Sequence, residues 1–270
     1  MRLIIKNMVK SVNLKTHRMG DSIVKDSISA LNFLEEERQV KGRIAGGMAV
    51  QAYTPCDSHR KTIDLDIDFP FQGSSTEFRE FCLPLQKYLT NLGYGLDFKK
   101  KGYSYEFHLN KDGKKGKDSF VIQNPSRSKN HFAKIKKSLE REINNRRVIS
   151  RDGIKYKVIS PEDLVAIKTH RALIFLDRYN LKLPKDISIN GLRENSRKLR
   201  EEIVYNSPDL NPRDVASLRL LNDLYDTRSL SHQVGLNQHY FSEVAKDWEA
   251  SKINKNDFYA LLDNLEVSLD

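Results

Sequence analysis

Apolar positions in the first part of the chain follow two different spacings. An apolar residue recurs every three or four positions from Asp21 to about Gln39, and this spacing predicts an amphipathic helix. Residues 43–53 begin apolar, break at Gly46 and Gly47 and continue in helix-forming residues, which predicts a strand, a tight turn and a helix. Residues 62–69 alternate strictly between apolar and polar and predict a β-strand.

The next segment continues the mixture of helix and strand. Residues 78–92 outline a helix that we expect to be kinked or broken near Pro84. Two alternating runs within 96–123 flank a polar, glycine-containing tip and predict a long hairpin. A basic helix is expected at about 131–143. Two short strands then follow, near Val148 and Tyr156.

The second part of the chain is helical in pattern. Ser160, Pro161 and Asp163 form a typical helix start, with a capping hydroxyl, a proline at the first helical position and an early acid. Helices are expected at about 161–177, 190–204, 212–227, 239–251 and 255–266. We therefore predict an α+β protein with two domains, an α/β head over residues 1–158 and a helical bundle over residues 159–270.

Composition narrows the class of protein. The chain has 270 residues, of which 39% are hydrophobic and 30% charged, which excludes a disordered or collagen-like protein. No apolar run approaches the roughly 18 residues of a membrane-spanning helix, and the first apolar run is too short for a secretory signal. Two cysteines, Cys56 and Cys82, make neither a disulfide framework nor a zinc motif. We expect a soluble, cytoplasmic protein.

The positive charge is concentrated in one stretch. Residues 99–157 contain eighteen Lys and Arg against six Asp and Glu, a net charge of +12, whereas the rest of the chain carries −2. Such a stretch is typical of a surface that binds a polyanion, most often nucleic acid. On composition alone, a solvated basic hairpin and helix without a ligand is an equally good interpretation.

The candidate chemistry lies in two features about twenty residues apart. The Gly46–Gly47 turn opens a helix, where close backbone approach and unpaired amides favour phosphate oxygens. Asp64 and Asp66 stand at alternate positions of a predicted strand, so both project from one face and suit a hard cation such as Mg²⁺. Together the two features favour phosphoryl or nucleotidyl transfer.

Four motifs in order resemble those of the polymerase-beta-like nucleotidyltransferase superfamily, and within it the toxins of the AbiEii/AbiGii type. They are Gly46–Val50, His59–Asp66, Glu162–Lys168 and Arg213–Leu218. The resemblance implies a nucleotidyltransferase head with a mixed sheet, followed by a helical bundle. It also implies transfer of a nucleotide from an NTP to an acceptor such as the 3′ end of tRNA, as the toxin of a toxin–antitoxin or abortive-infection system with an antitoxin protein as partner.

The resemblance assigns roles to residues of this chain. Asp64 and Asp66 would bind Mg²⁺, and Lys168 and Asp214 would join them in catalysis. The residues that would contact the nucleotide are Gly46, Gly47, Arg60, Thr62 and Lys168. The basic stretch 99–157 would guide the RNA acceptor.

Two of these residues also have a structural interpretation. Lys168 lies in the middle of an apolar stripe on its helix, so it either extends to solvent or points to an anion, with Arg171 one turn further as an assistant or a rim charge. Asp214 follows Asn211 and Pro212 at a helix start, where an acid is favoured by the helix dipole. The third carboxylate of the superfamily is not evident, and Glu106, Asp68 and Asp214 are its candidates.

Two rival functions remain at the level of sequence. The chain is alternatively a degenerate nucleotidyltransferase fold that binds nucleic acid or a partner protein without catalysis. It is alternatively a transferase for a small molecule such as an aminoglycoside, although the basic stretch disfavours a polycationic acceptor.

Overall fold

A computed structural model describes residues 21–55, 64–69, 71, 73–98, 104–111, 114–124, 141–151, 154–206, 211–249 and 254–267. The chain divides into two compact units. An α/β unit is built from His17–Ala52 and Lys61–Ser160, and a helical unit is built mainly from Pro161–Asp270. The fold is mixed α+β, as the sequence predicts.

The α/β unit contains a seven-stranded mixed sheet and, among the described residues, the helices α1 (Asp21–Arg38), α2 (Gly46–Tyr53) and α3 (Ser75–Asn91). Its strands are β1 (Arg43–Ala45), β2 (Asp64–Asp68), β3 (Tyr94–Phe98), β4 (Ser104–Lys111), β5 (Lys114–Gln123), β6 (Arg147–Arg151) and β7 (Ile154–Val158). The strand order is β3-β4-β5-β2-β1-β7-β6.

Strand β2 lies in the middle of this sheet. It pairs antiparallel with β1 and parallel with β5, so that Asp66 stands opposite Ala45 on one side and Val121 on the other. The alternate residues Leu65, Ile67 and Phe69 are fully buried, and helix α1 packs against β2 and β5. The apolar face of β2 therefore belongs to the core, and its aspartates belong to the opposite face.

Helix α3 begins at a capping box, in which the Ser74 hydroxyl accepts from the Glu77 amide and the Glu77 carboxylate accepts from the Ser74 amide. Of the two alternatives expected near Pro84, a kink or a break, the break is wrong, because the helix continues through Pro84 to Asn91. Proline lacks the N–H that would bind the carbonyl of Glu80. Arg38 of α1 supplies the missing donor, with Nη2 at 2.5 Å from the Glu80 carbonyl, and its Nε lies 3.0 Å from the Phe81 carbonyl.

The hairpin expected within 96–123 is confirmed as β4 and β5, which pair antiparallel. The first alternating run forms two strands instead of one, because β3 turns back onto β4 and pairs with it antiparallel. The two short strands are confirmed as β6 and β7. The basic helix expected at 131–143 lies mostly outside the described residues.

The helical unit confirms the five helices expected after Ser160. They are α4 (Pro161–Arg178), α5 (Ile189–Asn206), α6 (Pro212–Gln233), α7 (Gln238–Glu249) and α8 (Lys255–Asn264). Helix α6 runs six residues beyond its expected end. Among the described residues, no helix has the length and apolar character needed to cross a membrane.

The acids in the first turn of α4 hold helix α7. Glu162 accepts a hydrogen bond from the Asn237 amide at 2.8 Å, and the Tyr240 hydroxyl donates to Asp163 at 2.7 Å. Both carboxylates are almost completely buried. Two acids of the Glu162–Lys168 motif, Glu162 and Asp163, therefore have a structural role, because they bind groups at the start of α7 within the helical unit.

Candidate active site

The glycine turn lies directly against the carboxylate of Asp66. Gly46 follows the last residue of β1 and has a φ of +66°, a conformation that L side chains rarely adopt. A Cβ atom placed on Gly46 would lie 2.4 Å from Asp66 Oδ2. Only a glycine therefore lets the carboxylate approach the start of α2 this closely.

The sheet register explains why these two features meet. Ala45, the last residue of β1, stands opposite Asp66. The chain turns immediately afterwards, so Gly46 and Gly47 open α2 beside the middle of β2. Gly46 and Gly47 are half-buried, and so is Asp66.

The other expected ligands of this site are placed only in part. Asp64 is the first residue of β2 and pairs with Ser119 of β5. Arg60 and Thr62 lie outside the described residues. The structure therefore brings together the Gly46 bend and Asp66, with Asp64 two residues earlier on the same strand.

The strand next to β2 provides no acid on this face. The residues of β5 that pair with the three aspartates of β2 are Ser119, Val121 and Gln123. Asp68 is buried, accepts from Gln123 Nε2 at 2.8 Å and lies 3.5 Å from Arg43 Nη2. Burial raises the pKa of the Asp68 carboxyl, although Arg43 and Gln123 act in the opposite direction.

Glu106 lies on the same sheet face, one strand further out. It stands opposite Val121, which itself stands opposite Asp66, so two strand spacings of about 4.8 Å separate Glu106 from Asp66 across the sheet. Its Oε1 accepts from the Ser119 hydroxyl at 3.0 Å, and His108 Nε2 lies 3.6 Å from the same oxygen. Glu106 is thus an acid of this face that other side chains hold in place.

Lys168 is buried in the helical unit and is 2% exposed, so extension to solvent is excluded. Its Nζ donates to Asp226 Oδ2 at 2.7 Å and lies 3.5 Å from Asp223 Oδ1. Arg171 donates two hydrogen bonds to Asp223, from Nε to Oδ2 at 2.6 Å and from Nη2 to Oδ1. The anions that Lys168 meets are therefore two aspartates of α6, and its contact with a phosphate stays a prediction.

The sequence analysis missed Asp223 and Asp226. Both are essentially fully buried, although aspartate is rarely buried without a partner. Their spacing of three residues places them on one face of α6, among apolar neighbours. That Asp-x-x-Asp pattern within a buried helix is the signal that would have indicated a paired cation.

Asp214 lies in the first turn of α6. The Asn211 side chain caps the helix by accepting from the Arg213 amide at 2.9 Å, and Pro212 occupies the first helical position. An acid here is favourable for the helix whatever else it does. Asp214 and Lys168 belong to the helical unit, whereas Gly46, Gly47, Asp64 and Asp66 belong to the α/β unit.

The donor set beside Gly46 fits a magnesium ion held partly by substrate. In the described part of the chain, no three His, Cys, Asp or Glu side chains form a metal-binding group. Mg²⁺ characteristically takes one or two protein carboxylates and completes its shell with water and phosphate oxygens. The carboxylate of Asp66 beside the Gly46 bend is a donor of the kind that such a partial shell needs, and Asp64 lies two residues earlier on the same strand.

Comparisons with known proteins provide no family assignment. No family model matches the chain, and no curated protein matches it. A solved structure of a cytoplasmic RNA terminal U-transferase is 12% identical, with 86% of this chain and 71% of that chain covered, at a TM-score of 0.26. A TM-score this low does not establish a shared fold, so the resemblance to AbiEii/AbiGii toxins stays a prediction from the motifs.

Proposed function

We propose that this protein is a Mg²⁺-dependent nucleotidyltransferase whose active site is built on the Gly46 bend and strand β2. The observation that carries the proposal is the position of the Asp66 carboxylate, in the space that a side chain on Gly46 would fill. A glycine turn at a helix start presents backbone amides, which bind phosphate oxygens. A carboxylate in contact with that turn can bind the cation of the same triphosphate.

Each residue of this site has a defined task in the proposed reaction. Asp64 and Asp66 hold Mg²⁺, which when bound neutralises phosphate charge and polarises the α-phosphate. The amides at Gly46 and Gly47 orient the triphosphate. The acceptor hydroxyl gives its proton to a carboxylate. The oxygen of that hydroxyl attacks the α-phosphorus, and pyrophosphate leaves. Glu106 and Asp214 are the candidates for this base, because Asp68 is committed to Arg43 and Gln123.

The acceptor is proposed to be RNA, on the basis of the +12 charge of residues 99–157. The tRNA 3′ end, the toxin role, the antitoxin partner and the cytoplasmic location are further proposals, supported by the motif resemblance and the composition alone.

Transfer of a labelled nucleotide tests the function. Purified protein is incubated with each α-labelled NTP, total RNA and Mg²⁺, beside Asp66→Asn and the matched surface variant Asp177→Asn. We expect label on RNA with the wild type and Asp177→Asn, and a loss of about a hundredfold or more with Asp66→Asn, because a neutral amide is a poor ligand for Mg²⁺. Equal activity of Asp66→Asn and wild type would refute the assignment of the site.

A second candidate is a binding protein on a degenerate transferase fold. The absence of an acid at the three β5 positions that pair with Asp64, Asp66 and Asp68 favours it. The same assay separates the two functions. If no NTP yields labelled RNA, while RNA still binds, the binding function is supported and catalysis is refuted.

A further inference from the structure

A buried cluster of charges joins β1 to β2, two residues along each strand from Ala45 and Asp66. Arg43 is 2% exposed, and Asp68 and Glu142 are each 5% exposed. Arg43 Nη2 lies 3.5 Å from Asp68 Oδ2 and forms an ion pair with Glu142. Arg43 and Asp68 stand directly opposite each other in the register of the two strands.

Stability alone does not explain this cluster. Removing three charged groups from water is costly, and replacing a buried ion cluster by apolar residues of similar size is often neutral or stabilising. Its best-attested use elsewhere is the selection of one arrangement among several of similar energy. The local pattern of β1 and β2 shows which arrangements compete.

Strand β1 is too short and too uniform to define its own register. It has three residues, of which Ile44 faces the core and is fully buried. On β2 the core-facing residues are Leu65, Ile67 and Phe69, all apolar and all fully buried. A slip by two residues would therefore still pair Ile44 with a buried apolar residue and keep every face correct.

Such a slip would change the carboxylate that lies beside the glycine bend. In the observed register Ala45 faces Asp66, and Gly46 follows it at once. A shift by two residues would bring the bend to Asp64 or Asp68 instead. A slip in one direction would place Asp66 opposite Arg43, away from the Gly46 bend, and would leave the buried Asp68 without Arg43. Only the observed register pairs Arg43 with Asp68, so this pair distinguishes arrangements that the apolar residues do not.

We infer that Arg43 is a positioning residue. Its ion pairs with Asp68 and Glu142 select the pairing of β1 with β2 that places the Gly46 bend against Asp66. The catalytic consequence of this role rests on the proposed function, whereas the effect on register does not.

The first test replaces the cluster by apolar residues of similar size, in the triple variant Arg43→Met, Asp68→Leu, Glu142→Leu. We expect an unchanged or higher urea midpoint, because an apolar replacement removes the cost of burying charge. We expect transfer to fall about a hundredfold, because small displacements of reacting groups have effects of that size. Amide exchange at Ile44 and Ile67 should accelerate about tenfold or more relative to Phe107 and Phe120 of the β4–β5 hairpin.

The second test keeps Asp68 and Glu142 and changes Arg43→Lys. A lysine keeps the charge but replaces the guanidinium, whose Nη2 contacts both carboxylates, by a more strongly hydrated ammonium on a differently shaped side chain. We expect kcat to fall about tenfold with little change in KM for the NTP. We also expect amide exchange at Ile44 and Ile67 to accelerate, as in the triple variant. Arg228→Met is the control, since it removes a buried arginine that pairs with Glu266 in the helical unit. It should leave kcat unchanged.

Each outcome decides the inference. The inference is overturned if the triple variant shows wild-type transfer and wild-type amide exchange. It is also overturned if the triple variant loses activity only to the extent that its unfolding free energy falls. An inactive triple variant beside a fully active Arg43→Lys variant attributes the loss to Asp68 itself and also overturns it. If the wild type transfers no nucleotide, the proposed function fails, and accelerated exchange at Ile44 and Ile67 still supports the positioning role.

Discussion

Gly46 meets two separate demands at one residue. Its φ of +66° requires a backbone that tolerates the left-handed region, and the Asp66 carboxylate occupies the position that a Cβ would take. The first demand concerns folding alone. The second concerns the carboxylate that we propose as a metal ligand, and the two are separable by experiment because Gly93 meets only the first demand.

The variants Gly46→Ala and Gly93→Ala make this separation. Gly93 has a φ of +85°, and nothing lies within 4 Å of the position that a Cβ would take, so an alanine there should cost only the backbone strain of about 1–2 kcal/mol. Gly46→Ala should cost the same strain and also displace Asp66, so we expect a larger loss of unfolding free energy in urea and a loss of transfer. Gly93→Ala should retain transfer. Equal effects of the two variants on both measurements would show that the contact with Asp66 is unimportant.

Lys168 shows what residue patterns alone can and cannot predict. The helical periodicity placed this lysine within an apolar stripe and left two alternatives, extension to solvent or contact with an anion, of which the structure shows the second. It did not indicate which anion, because Asp223 and Asp226 lie more than fifty residues later and reach Lys168 only when α4 and α6 pack. Partner choice across distant elements is a property of packing, and a periodic pattern within one helix carries no information about it.

At the scale of elements, local signals predicted most of the fold. Apolar spacing, caps, glycine turns and strict alternation predicted α1, β1, α2, β2, the β4–β5 hairpin and the five helices of the second unit. Helix α3 was also predicted, but the local rule for proline predicts a kink or a break, and the structure shows no break. The helix is continuous there, and Arg38, more than forty residues earlier, binds the Glu80 carbonyl that Pro84 leaves without a helical donor.

A double-mutant cycle on Arg38 and Pro84 tests this compensation. Arg38→Met should lower the unfolding free energy by about 1–3 kcal/mol, because it removes donors from two carbonyls. In the Pro84→Ala background the helix supplies its own N–H to the Glu80 carbonyl, so Arg38→Met should cost about 1 kcal/mol less. Urea unfolding of the four proteins gives the coupling energy. Additive effects of the two substitutions would mean that Arg38 does not compensate for the proline.

At the scale of the molecule, half of the candidate site follows from chain order. A short strand, a glycine turn and an antiparallel partner strand with alternate aspartates bring the glycine bend beside one of those aspartates, and the observed register makes it Asp66. The third carboxylate does not follow, because its place depends on the strand that pairs with β2. That strand is β5, and it offers Ser119, Val121 and Gln123 where an acid would complete the site.

The uneven charge of the molecule yields the last prediction. If residues 99–157 bind the RNA acceptor, each lysine that neutralises a phosphate there releases counterions. The logarithm of the RNA affinity then falls linearly with the logarithm of the salt concentration, with a slope proportional to the number of neutralised phosphates. Lys114, Lys115 and Lys117 belong to β5 within this stretch. Changing all three to glutamine should reduce the magnitude of that slope by about 2 for single-stranded RNA.

The matched control removes the same charge from the helical unit. Lys182, Lys185 and Lys246 are exposed there, and their change to glutamine lowers the net charge of +10 by the same three units. If the molecule binds RNA through its total charge, both triple variants reduce the slope alike. If it binds through the stretch 99–157, only the β5 variant does, because counterions are released where phosphates are contacted and screening limits other charges to about 10 Å. Equal slopes for wild type and both variants would contradict RNA binding through these lysines.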